Sequence, residues 1–149
     1  MSQTDWNQLR ELACERRDTL GARLAEAATV RDAALQKLEM LLDYRNEYDS
    51  RLAQNTTEGI DAEKLRGYRT FLANLERAID QQTHAVTAAQ QRVAEAQALW
   101  RGEQRHVDSF RILDQRQKAE VARAAGRLEQ KLTDEVATRG VAASAGVAD

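Results

Sequence analysis

The run LRGYRTFLANLERAIDQQTHAVTAAQQRVAEAQALWRGEQRHVDSFRILDQRQKAEVARAAGRL, Leu65 to Leu128, decides the fold. Every seventh residue from Leu65 reads Leu72, Ile79, Val86, Val93, Trp100, Val107, Asp114, Val121 and Leu128. A second series, three residues behind the first, reads Tyr68, Leu75, Gln82, Ala89, Ala96, Glu103, Phe110, Gln117 and Ala124. These are the a and d positions of a heptad seam. A sustained 3.5-residue period makes a helix wind leftward around a partner, because an apolar stripe otherwise drifts around the cylinder. The chain contains no proline to interrupt it.

Upstream, a matching seam supplies that partner. Its d positions are Trp6, Ala13, Leu20, Ala27, Ala34, Leu41 and Tyr48; its a positions are Arg10, Arg17, Leu24, Arg31, Leu38, Arg45 and Leu52. Asn55-Thr56-Thr57-Glu58-Gly59 is the internal turn signal. Asp61 follows as an N-cap, and Ile60 and Leu65 are spaced as a hydrophobic staple around it. The pattern predicts helix 1 over about 4–54, capped by Thr4 or Asp5, a turn over 55–60, and helix 2 over about 62–138. Residues 139–149, small and aperiodic, read as a disordered tail. The expected fold is all-α: one domain, 1–138, a long two-helix antiparallel coiled-coil hairpin.

Antiparallel pairing sets a opposite d, so paired residue numbers add to a constant that changes in steps of seven. A constant of 113 centres the turn on Thr56 and Thr57 and pairs Leu41 with Leu72, Arg31 with Gln82, Arg10 with Glu103 and Ala13 with Trp100. A constant of 120 is the alternative. Beyond helix 1 the seam turns polar at Asp114 and Gln117, then resumes at Val121, Ala124, Leu128 and Leu132. Residues 113–138 therefore form a C-terminal helix overhang of about 39 Å, which either frays or takes another partner, a second copy included.

Composition agrees. Hydrophobic residues are 42% of the chain but aromatics only 5%, too few bulky side chains for a compact core. The 22 basic and 24 acidic residues interleave, with no polybasic arm, so nucleic acid is not an expected partner. With no long apolar run and no secretory leader, the expected location is the cytoplasm. Cys14 stands alone, and Glu103-x-x-His106 lacks the additional glutamates that a di-metal site needs. No catalytic residue, cofactor or metal site is predicted, and the chain reads as a non-enzyme.

One edge departs from a solvated coiled-coil face. Tyr44 and Phe71 both occupy g, and in the first register they stand side by side near the turn. Either they are exposed together as a docking site, or they fold over the seam and seal it.

The segments MLLDYRNEY (Met40 to Tyr48) and GYRTFLANLERAI (Gly67 to Ile79), with LDQRQ (Leu113 to Gln117) and RLEQKLTDE (Arg127 to Glu135), resemble the FliJ family of flagellar type III export proteins. The resemblance implies a non-catalytic stalk that inserts into the hexameric flagellar export ATPase, stimulates it and couples it to the export gate. It implies peripheral placement at the inner membrane through that apparatus, and export chaperones as further partners. Gate docking carries over to Leu41, Tyr44, Tyr48, Phe71, Leu75 and Ala78. Contact with the ATPase ring falls on the other end of the hairpin, on Arg10, Arg16, Arg17, Arg23, Val121 and Leu128. Lys37 and Gln82 depart from the glutamine and histidine common in the family. The equivalent stalk of a virulence secretion system and a plain coiled-coil tether are the competing readings.

Overall fold

A computed structural model describes residues 2–147. It contains two helices, α1 (Gln3–Glu58) and α2 (Ala62–Val147), and divides into two units, Met1–Gln104 and Arg105–Asp149. In the first unit α1 packs antiparallel on the first half of α2 as a helical hairpin. The second unit is the remainder of α2.

The helix ends differ from the expected ones for local reasons. α1 is capped by Ser2, not by Thr4 or Asp5: the Asp5 amide donates to Ser2 Oγ at 3.2 Å, while the Asp5 carboxylate accepts from the Ser2 amide and hydroxyl. Asp5 serves as the third residue of a capping box, which pairs two otherwise orphaned amides at once. Met1 lies outside the described residues. At the other end, Asn55 to Glu58 stay helical. The hydroxyls of Thr56 and Thr57 donate back to the Leu52 and Ala53 carbonyls, at 2.7 and 2.9 Å, so this polar run need not leave the helix.

The break comes at Gly59, whose φ of 95° is open to glycine and strained for other residues. Asp61 then caps α2 as expected, accepting from the Lys64 amide at 2.8 Å. α2 continues past Thr138 to Val147. The expected tail is thus helical over 139–147, a proline-free stretch rich in alanine, the best helix former. Residues 148 and 149 lie outside those described.

A connection of only Gly59, Ile60 and Asp61 centres the hairpin on Ile60, so paired numbers add to about 120. Trp100 lies against Gly21, Arg45 reaches Glu76 at 3.5 Å, and Tyr48 stacks on Phe71. The register is therefore the alternative one, a heptad away from the one centred on Thr56 and Thr57. In it Leu41 falls opposite Ile79 rather than Leu72, and Leu20 opposite Trp100. The polar layers change accordingly. Gln82 donates its amide to the Ala34 carbonyl across the seam at 2.9 Å, and Arg31 pairs with Asp32 on its own helix.

Burial is greatest at Ala13, Leu75, Ile79, Val86 and Ala89. The a-position arginines of α1 contribute apolar stems: Arg17, Arg31 and Arg45 are about two-thirds covered, with their heads on Asp18, Asp32 and Glu76. In the second unit every residue from 115 to 146 is exposed.

A Cβ placed on Gly21 would sit 3.3 Å from Trp100 Nε1. Gly21→Ala should leave thermal stability within about 1 kcal/mol of the parent, the helix-propensity gain offsetting a small indole shift. Gly21→Leu should lower it by about 1–3 kcal/mol through overpacking. Thermal unfolding followed by circular dichroism distinguishes them, and a stabilising Gly21→Leu would contradict this packing.

Candidate functional site

The last turns of α1 and the first of α2 bring three aromatic rings together beside the turn. Tyr48 enters from the seam. Phe71 stacks on it with ring centroids 4.3 Å apart, and Tyr68 lies 6.4 Å away at a steeper tilt. Offset, tilted pairs of this kind match the negative faces of rings to their positive edges. The Arg51 guanidinium sits 5.4 Å from the Tyr48 centroid and is held there by Glu47 at 2.7 Å. Asn55 Nδ2 donates to the Tyr68 hydroxyl at 2.9 Å, tying the last turn of α1 to the first of α2.

Gly59, Ile60, Asp61, Lys64 and Gly67 join these residues around an open groove of about 630 Å³. Aromatic walls with a carboxylate and an ammonium at the rim suit binding of an apolar side chain with a polar edge.

The structure leaves the aromatic edge partly covered and partly exposed. Phe71 folds over the seam, but onto Tyr48 rather than beside Tyr44, because the heptad shift sets Phe71 opposite Arg51 and Tyr44 opposite Ala78. Even so, Phe71 remains 41% exposed and Tyr44 45%. Leu41, Tyr48 and Ala78 are half-buried. Leu75, only 7% exposed, belongs to the seam and supports this surface from beneath.

Of the residues expected to meet an ATPase ring, Arg10, Arg16 and Arg23 are exposed on α1. Arg16 and Arg23 line a shallow groove of about 360 Å³ with Leu12, Glu15, Thr19, Leu20 and Glu103. Arg17 is turned inward and paired with Asp18 at 3.0 Å. Val121 and Leu128, in the second unit, are 63% and 60% exposed.

Sequence reasoning missed the part of the tip groove built by Asn55, Lys64 and Tyr68. Asn55 has the composition of a turn residue and Tyr68 lies in the seam; only the register centred on Ile60 brings them within reach. His106 packs on Phe110, with centroids 5.0 Å apart. Among the described residues no three His, Cys, Asp or Glu side chains are grouped to hold a metal ion, and no helix is long and apolar enough to cross a membrane.

Comparison with known proteins gives one consistent result. Residues 2–146 match the family model described as Flagellar FliJ protein. The flagellar FliJ protein of Salmonella typhi is 34% identical over 131 residues, which cover 88% of this chain and 89% of that protein. That of Escherichia coli K12 is 31% identical with the same coverage. With the helical hairpin and nearly its whole length matched, the chain belongs to the FliJ family of flagellar export proteins.

Proposed function

We propose that this chain is a non-catalytic stalk of the flagellar export apparatus, with two surfaces for two partners. The tip surface of Leu41, Tyr44, Tyr48, Phe71 and Ala78, underpinned by Leu75, docks on the cytoplasmic domain of the export gate. The second set, Arg10, Arg16, Arg17 and Arg23 with Val121 and Leu128, engages the hexameric export ATPase and stimulates its turnover. Export chaperones are further partners in this reading, and the chain is peripheral at the inner membrane through the apparatus it joins.

The observation that carries the reading is the tip. Phe71 and Tyr44 keep over 40% of their surface exposed, on the two segments around which the family resemblance is read. Partly exposed aromatic rings on a rigid helical support have the character of an interface hot spot. The arginines supply the other kind of surface, in which charge governs encounter with an oppositely charged partner.

The test separates the two surfaces. Phe71→Ala removes the stack on Tyr48 and should cost about 1–2 kcal/mol of stability while leaving the hairpin folded. Its binding to the isolated gate domain should fall more than about tenfold, with ATPase stimulation within about twofold of the parent. Arg16→Glu with Arg23→Glu should lose stimulation and keep gate binding. A folded variant that loses both activities would replace two surfaces with one shared surface, and loss of neither would leave a plain coiled-coil tether.

A further inference from the structure

The second unit carries an apolar face that the hairpin seam does not account for. Val121, Leu128 and Leu132 are 63%, 60% and 54% exposed, and Ala125 lies between them on the same side of α2. We propose that this face docks a second copy of the same chain, antiparallel, with Val121 against Leu132 of the second copy and Ala125 against its Leu128.

Charge singles out that occupant and that arrangement. When Val121 meets Leu132 and Ala125 meets Leu128, the twofold axis passes between Gly126 and Arg127. The next layer out then sets Lys118 opposite Glu135 of the second copy, and the symmetry repeats the pair at the other end. Four apolar layers are thus bracketed by two opposite-charge layers. Sliding the copies by one heptad in one direction puts Lys118 against Leu128. Sliding them in the other puts Glu135 against Ala125 and Arg139 against Val121. A parallel pairing in register sets Lys118 against Lys118 and Glu135 against Glu135. Each of these buries a charge against an apolar side chain or against its like, the penalty that selects register and orientation in coiled coils.

Two local features favour the pairing. Lys118 is 77% exposed, and its ammonium contacts Asp114 on its own helix at 3.1 Å, leaving donors for a second carboxylate. Ala122, Ala124 and Ala125 flank the twofold axis, so the helices can approach closely there. With only four apolar layers, the dimer is a weak one, with Kd in the range of about 10–100 µM. Val121 and Leu128 also belong to the proposed ATPase contact, so pairing would withhold them from the ring. That consequence rests on the proposed function, whereas the pairing itself is measured with no ATPase present, so the two can fail separately.

Equilibrium sedimentation of the full chain under reducing conditions tests the pairing. Lys118→Glu and Glu135→Lys each create two like-charge layers and should weaken self-association at least about tenfold. An equimolar mixture of the two variants restores opposite charges in every layer of the heterodimer, and should associate within about threefold of the parent. Circular dichroism should show equal helicity for all three, since both positions are exposed. A parent chain that stays monomeric up to about 0.5 mM overturns the proposal. So does a parent dimer that neither variant weakens, or a mixture no tighter than the variants alone.

Discussion

The structure depends on a turn of three residues. Two long helices can face each other in several registers that keep a against d, and an apolar seam alone discriminates weakly among registers one heptad apart. Gly59 removes that freedom. It holds a φ of 95° between two helices that otherwise run without interruption, and Asp61 starts the return helix two residues later by capping the Lys64 amide. The hairpin is therefore centred on Ile60, and the cross-helix contacts follow from it, among them Asn55 to Tyr68, Tyr48 to Phe71, Arg45 to Glu76, Gln82 to the Ala34 carbonyl and Trp100 over Gly21.

A two-helix seam buries little, and the chain shows how it manages. Among the described residues no large side chain is fully enclosed, and the most buried ones are small or medium in size. Arginines in seam positions lay their stems along the interface and keep their heads on neighbouring carboxylates. Such surface pairs are each worth little, so most of the stabilisation comes from the covered stems and aliphatic layers. The same thinness leaves aromatic surface beside the turn and aliphatic surface in the second unit available for other molecules. That combination suits a protein whose work is binding, and it is the physical basis of the role proposed within the flagellar export apparatus.

Much of this was legible in the residues. The heptads predicted two helices and an antiparallel return, and the segments around Tyr44 and Phe71 carried the family resemblance that the comparisons bear out. The register was legible only as a pair of alternatives, because Asn55, Thr56 and Thr57 have the composition of a turn. In the structure their side chains bond back along the helix or across to Tyr68, leaving the break to glycine alone. That shift of one heptad explains why Phe71 meets Tyr48 rather than Tyr44, and why the groove at the turn was not foreseen. The first-turn cap was missed for a similar reason: Asp5 looked like a cap and is the partner of one.

The register is the premise beneath every contact described, and disulfide trapping tests it most directly. In a Cys14→Ser background, cysteines at Leu41 and Ile79 stand opposite each other across the seam, where modest adjustment brings their Cβ atoms to the roughly 4 Å that a disulfide needs. Cysteines at Leu41 and Leu72 are a heptad out of step, about 10 Å apart along the helix. Under mild oxidation the first pair should close within the monomer and the second should stay reduced. Closure of the Leu41/Leu72 pair instead would return the turn to Thr56 and Thr57 and contradict the packing at both ends of the hairpin.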